Sequence, residues 1–277
     1  MKGRREFHAL KAVGRSCVLC ACLLLPLGAV ADELRIGGTG NALGTMRLLG
    51  EAFTRLHPEH KVTVLPSIGS SGAIKAVPRG ALDVGVSSRP LNEEEKTAGA
   101  IAIEYARSPT VLAVSRSAAV RAVTRDQLVA IFAGTLTRWP DGTTIRPVLR
   151  QVGDDNTRQL KSLTPAMEQA LGAAAQRAGL PFAVIDQEAA DKIETIPGAI
   201  GVTTLSLILS EERGLRPLAL DGVEPSVSNA AAGSYPLVKH YFVIIRSEPA
   251  PAVRSFVEFL RSAPAREILA RTGHWLP

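Results

Sequence analysis

Between residues 34 and 90, a short β-rich run ends three times in a loop of glycine, serine, threonine or asparagine. Leu34-Arg35-Ile36 runs into Gly37-Gly38-Thr39-Gly40-Asn41, the run over 61–66 into Ile68-Gly69-Ser70-Ser71-Gly72, and the run over 82–86 into Ser87-Ser88-Arg89-Pro90. The first two loops each open a helical pattern. Leu43, Met46, Leu49, Phe53 and Leu56 recur at spacings near three and four until Pro58 stops them, and Ile74 and Val77 follow the second loop. Strand, loop and helix repeated in this order predict an open α/β sheet with parallel strands, whose post-strand loops gather at one sheet edge.

Such an edge suits an anion. Helix starts present free backbone N–H groups and the positive end of the dipole, small hydroxyl residues add short donors, and glycines let a ligand approach the backbone. Arg89 and Arg150, each beside such a loop, carry forked donors suited to oxygen atoms. Each residue also has a structural use: Asn41, Ser70 and Ser71 are good helix caps, and most arginines are solvated surface charges. The functional reading depends on convergence of the loops.

Thr124 and Gln127 form a capping box for a helix over 125–133 closed by Gly134. Trp139-Pro140-Asp141-Gly142 is a turn, a strand is expected over 147–150, and Gly153-Asp154-Asp155-Asn156-Thr157 opens a helix. Thr164-Pro165 starts another helix running to near Gly179, and 199–203 reads as a buried strand. A long β-rich strand over 237–245 and two proline-started helices, 251–262 and 264–272, bring the chain to Gly273.

The first 31 residues stand apart. Lys2, Arg4, Arg5, Lys11 and Arg15 precede an apolar run over 16–30, and Ala29-Val30-Ala31 supplies a small–x–small cleavage pattern before Asp32. This is the layout of a secretory signal, and its apolar core is short for a membrane span. All three cysteines, Cys17, Cys20 and Cys22, fall inside it. Lipid attachment at Cys22 is an alternative, but the apolar run continues past it. The exported chain is therefore expected to be thiol-free and periplasmic, with enough length to bury a core without disulfides. The leader holds five basic residues and one acid, so only +2 of the formal +6 stays with the remainder. With no basic run and 4% aromatic residues, nucleic acid is a poor partner.

Familiar catalytic patterns fail here. Gly38-x-Gly40-x-x-x-Gly44 misses the dinucleotide spacing, and Gly69-Ser70-Ser71-Gly72 is not a nucleophile elbow. Pro58 breaks the helix that would put His57 and His60 on one face, so that stretch reads as a turn and not a metal site. His240 and His274 have no acid or nucleophile visible in register. Neither catalysis nor a cofactor is expected.

At this level of detail the chain resembles the phosphate-binding members of the periplasmic solute-binding proteins of ABC transporters. The resemblance rests on Gly69-Ser70-Ser71-Gly72, on Leu82-Asp83-Val84-Gly85-Val86-Ser87-Ser88-Arg89-Pro90-Leu91 and on the segment from Thr124 to Gly134 with Trp139. Pro197-Gly198-Ala199-Ile200-Gly201 and the tail from Tyr235 to Gly273 carry it further. It implies a type II periplasmic-binding-protein fold: two α/β lobes, 32–115 plus 236–277 and 116–235, joined by a hinge. It also implies a monomer that captures a small oxyanion, phosphate ahead of tungstate or molybdate, for permease subunits in the inner membrane. The alternative role is a ligand-binding sensor that regulates a membrane partner. By position, the family's ligand contacts fall on Thr39, Gly40 and Asn41, on Ser70 and Ser71, on Ser87, Ser88 and Arg89, and on Arg150 with Asp154, Asn156 and Thr157. Two departures stand out. Ser88 takes the place where the phosphate binders carry an aspartate, and Asp154-Asp155-Asn156-Thr157 replaces a Ser-Gly-Thr loop. Two carboxylates facing an oxyanion repel it unless one points away or accepts its proton.

Overall fold

The computed structural model describes residues 32–277; the leader, its cysteines and its cleavage motif lie outside the described residues. Strand β1 (Asp32–Gly38) feeds helix α1 (Gly40–Leu56), followed by β2 (His60–Val64), α2 (Gly69–Ala76) and β3 (Val84–Ser87). β1 pairs in parallel with β2 on one side and β3 on the other, as the strand–loop–helix pattern requires. The ends of β1 and β3 nearly touch. Gly38 has φ +152, and a Cβ there would lie 2.0 Å from the Val86 carbonyl oxygen. Thr39 N–H donates to that same oxygen at 3.0 Å, so the first and third loops are held side by side.

After α3 (Glu93–Thr97) comes the long strand β4 (Ala100–Ser115). Then follow β5 (Ala122–Val123), α4 (Arg125–Ala133), β6 (Arg146–Pro147), α5 (Asp155–Lys161), α6 (Pro165–Ala175), α7 (Asp186–Thr195), β7 (Ala199–Thr204) and α8 (Leu205–Ser210). β8 (Leu215–Pro217), β9 (Ala219–Leu220), α9 (Val227–Ala231), β10 (Val238–Arg246), α10 (Pro251–Phe259) and α11 (Ala263–Arg271) complete the chain. The main sheet runs β2-β1-β3-β10-β4-β7-β6, with β8 also on β4. It is mixed rather than parallel, because β10 runs antiparallel to both β3 and β4.

β4 links two cores. Its first part pairs with β10, with a bulge at Tyr105, and lends Tyr105 and Ala106 to a cluster built on Ile36, Met46, Phe53, Val84, Tyr241 and Phe256. Its apolar end pairs with β7 and β8 and places Leu112 and Val114 against Leu128, Phe132, Ile200, Val202 and Tyr235. The α4 capping box forms as read, with Thr124 Oγ1 accepting from Gln127 N–H and Gln127 Oε1 from Thr124 N–H. The strand expected over 147–150 pairs as a ladder only at Arg146 and Pro147. Beyond them Leu149 turns to the segment at Pro181–Ala183, with Leu149 N–H donating to Pro181 O. Helix α6 stops at Ala175, short of Gly179, and Arg177 turns aside to donate to Phe132 O at the end of α4.

The chain end is strapped across β4. Arg107 and Trp275 exchange backbone hydrogen bonds, Ser108 Oγ donates to Gly273 O, and His274 is buried against the Tyr241 ring with centroids 5.4 Å apart. Burial pushes the His274 imidazole down to about 4, so the folded state holds it neutral. The unfolded chain then binds more protons below about pH 6.5, and stability falls with pH in that window by about 3 kcal/mol at most. Urea unfolding at steps between about pH 7 and pH 4 should show this slope, reduced in His274→Asn; equal slopes would assign the acid sensitivity to other groups.

Candidate functional site

Five loops and one helix start face a cleft of about 380 Å³. From the β1–β3 side come Thr39 and Asn41, Ser67 to Ser71, and Ser88 and Arg89. From the opposite side come Arg150 and Gln151 after β6, Gly153 to Asn156 at the start of α5, and Val184 to Asp186 before α7. The three early loops therefore do converge.

Nine of the sequence-predicted residues line this cleft: Thr39, Asn41, Ser70, Ser71, Ser88, Arg89, Arg150, Asp154 and Asn156. Three do not. Ser87 is fully buried, and its Oγ donates to Arg89 O at 2.7 Å while accepting from Arg89 N–H, so it shapes the turn. Gly40 is buried inside the first turn of α1. Thr157 faces a smaller apolar pocket beside the cleft, bounded by Phe132, Val148, Leu160 and Leu171.

The early loops are knitted together. Ser70 Oγ accepts from Ser88 N–H at 2.9 Å and lies 3.1 Å from Ser88 Oγ. α2 has no side-chain cap at its N-terminus, which leaves its first N–H groups available to the cleft. Arg89 is not a free cation. Its guanidinium forks onto Glu95 at 2.6 and 2.8 Å and also reaches Ser71 Oγ at 3.1 Å. That pair pulls the Glu95 carboxyl down to about 2. Glu95 is in turn locked by its capping box with Asn92.

Arg150 is buried, with a side chain only 7% exposed. Its Nη2 donates to Asp154 Oδ2 at 2.7 Å and to Asp186 Oδ1 at 3.1 Å, while Nε and Nη1 are buried without a partner. Asp154 also caps α5, where its Oδ1 accepts from Asn156 N–H. Asp155, the first-turn acid, also lines the cleft and pairs with Lys239 of β10, whose side chain is fully buried and also donates to Asn156 Oδ1 at 2.7 Å. Burial opposes the Asp155 charge, but Lys239 and Arg158 hold its carboxyl below the usual value.

Asp186 was not anticipated. Its carboxylate accepts from Asn41 N–H at 3.1 Å and Thr39 Oγ1 at 3.4 Å at the start of α1, and from Arg150 and Asn156 Nδ2 on the other side. Burial pushes this carboxyl up, against the pull of Arg150. The signal was present in the first-turn acids Asp186 and Glu188, followed by Ala189, Ala190 and Ile193 at helical spacing. Lys239 was also legible, on the inward alternation of a strand whose other inward residues are Tyr241, Val243 and Ile245. The acid missing beside His240 is Glu104, whose Oε1 lies 2.7 Å from Nδ1 across the β10–β4 ladder. Among the described residues, no group of three or more His, Cys, Asp or Glu side chains is placed to hold a metal.

A family model described as a PBP superfamily domain matches residues 26–264, most of the chain. The chain belongs to this superfamily. A phosphate-binding protein PstS of Bacillus subtilis is 22% identical over 255 residues, covering 89% of this chain and 81% of the relative. Protein SphX of Synechococcus elongatus is 25% identical over 284 residues, covering 86% and 80%. Among solved structures, a phosphate ABC transporter substrate-binding protein with bound phosphate from Clostridium perfringens matches with a TM-score of 0.75 at 22% identity. That match covers 89% of this chain and all of that one. The periplasmic molybdate-binding protein of Azotobacter vinelandii matches with a TM-score of 0.63 at 15% identity, over 88% of this chain and all of that one. The fold is thus the bilobal α/β fold of periplasmic binding proteins, with β4 contributing to two of its cores. Among the described residues, no helix is long and apolar enough to cross a membrane.

Proposed function

We propose that this protein captures a small phosphate-like oxyanion in the cleft and delivers it to the permease of an ABC transporter. One observation carries the reading: the uncapped start of α2, with Ser70 and Ser71, faces the same cleft as a buried arginine whose Nε and Nη1 have no partner. Donors of this kind from two sides suit a tetrahedral anion and a fold that closes on its ligand. The names of PstS and of the phosphate-bound structure support the same ligand class.

In this reading residues 32–115 plus 236–277 form one lobe and 116–235 the other, and β4 and β10 carry the crossings. The protein acts outside the inner membrane after loss of residues 1–31, as a monomer. It binds without chemistry, and its partners are the anion and the permease rather than nucleic acid. Asp154, held by Arg150 and by the α5 cap, sets it apart from a site lined by Ser-Gly-Thr and favours an oxyanion of low charge. Thermal unfolding of the purified protein against phosphate, sulfate, molybdate and tungstate is the test. A bound anion at about 100 times its Kd stabilises by about 2.7 kcal/mol. A midpoint raised by an uncharged or cationic solute, and by none of the four anions, would overturn the reading.

A further inference from the structure

Part of the donor set that faces the cleft is already engaged. One carboxylate, that of Asp186, collects a backbone N–H and a hydroxyl from the start of α1, the guanidinium of Arg150 and the amide of Asn156. These are the four donor types expected around a tetrahedral anion, and they come from both sides of the cleft. The carboxylate also sits at the first residue of α7, so two helix starts and one arginine share it. Its side chain is 7% exposed.

The neighbouring residues are shaped to admit it. A Cβ at Gly40 would come within 2.9 Å of Asp186 Oδ2 and 2.4 Å of Gln187 Oε1, so glycine there is what lets the start of α7 dock on the start of α1. Gln187 fastens the contact by donating from Nε2 to Gly40 O at 2.9 Å. Meanwhile Arg150 Nε and Nη1 remain buried without partners, a donor surplus that one carboxylate does not use up.

We infer that Asp186 is an internal competitor for the oxyanion: its carboxylate holds the cleft's donors in the unliganded protein, and a ligand binds by displacing it. This rests on the proposed oxyanion function and adds the residue that sets affinity. Displacement costs the protein the Asp186 contacts and leaves a carboxylate near the incoming charge. The wild type is therefore a weaker oxyanion binder than its donor set allows. Anions too poor in acceptor oxygens to replace the carboxylate on all its donors are excluded.

Asp186→Asn keeps the shape and removes the charge. Titration calorimetry with inorganic phosphate should find it binding at least ~10-fold tighter than wild type, whereas Arg150→Ala binds more weakly. Asp186→Asn binding equally or more weakly, with Arg150→Ala still impaired, overturns the competitor and leaves oxyanion capture standing. Phosphate binding by none of the proteins, or binding indifferent to Arg150, overturns both. A second measurement needs no substitution. In wild-type protein saturated with phosphate, the Asn41 amide must exchange its carboxylate acceptor for the ligand, and its NMR resonance should shift strongly. An Asn41 resonance unmoved at saturation contradicts displacement.

Discussion

Lys239→Ala lowers the unfolding free energy by about 3 kcal/mol, at the lower end of the cost of stripping one partner from a buried ion pair. The lysine side chain has no exposed surface, and its Nζ is spent on Asp155 and Asn156, both on α5. It projects from β10, the strand that pairs with β3 and β4, so it ties the acidic loop of the cleft to the central sheet. Asp155 keeps Arg158 at 3.1 Å and Gln159 at 3.1 Å, which holds the loss near the lower bound. Urea denaturation measures it. A companion double variant, Lys239→Met with Asp155→Asn, removes both charges and should recover at least ~1 kcal/mol over Lys239→Met alone, the signature of direct coupling. A loss below about 1 kcal/mol for Lys239→Ala would make the pair a spectator.

The ion pair also shows where sequence reasoning stops. Loops at 38–41, 69–72 and 87–89 were legible because their chemistry is local: each follows a β-rich run, and its glycines and hydroxyl residues offer open backbone and short donors. Six of the nominated residues, all on these loops, reach the cleft for that reason. Ser87 and Gly40 belong to the same loops but turn inward, and nothing in the pattern separates an inward from an outward hydroxyl in a turn two residues long. What could not be read was pairing. Glu95 neutralises Arg89 through a helix of only five residues, and Asp186 reaches Asn41 across 145 residues of chain. The antiparallel insertion of β10 between β3 and β4 is equally non-local, and with it the partnership of Lys239 and Asp155. Helix α7 escaped because its acid-rich surface dilutes a narrow apolar stripe of Ala189, Ala190 and Ile193.

Arg150→Ala should have the largest effect on the cleft. Phosphate affinity falls by about 1.5–3 kcal/mol, roughly 10- to 100-fold, on the scale of a charge-assisted hydrogen bond. Folding also suffers, because Asp154 and Asp186 lose the guanidinium between them. Arg150 is no solvated surface charge, and removing it leaves a buried carboxylate unpaired at a cost of about 3 kcal/mol. Adding Asp186→Asn to Arg150→Ala should return part of that stability while phosphate affinity stays below that of Asp186→Asn alone, which separates the two roles in one comparison. Arg150→Lys keeps the charge but loses the planar fork, so it should fall between wild type and alanine in both measurements. Calorimetry and urea denaturation on the same preparations decide it. Unchanged phosphate affinity in Arg150→Ala would remove this residue from the site.

The most direct test of the whole account is the position of a bound oxyanion. Arsenate has the shape and charge of phosphate, and its arsenic is located by anomalous scattering in a crystal of the protein grown with it. The account predicts a single peak in the cleft, within hydrogen-bonding reach of Ser70, Ser71 and Arg150, between the starts of α1 and α2 on one side and α5 on the other. An empty cleft at saturating arsenate, or arsenic bound only elsewhere on the molecule, would contradict it.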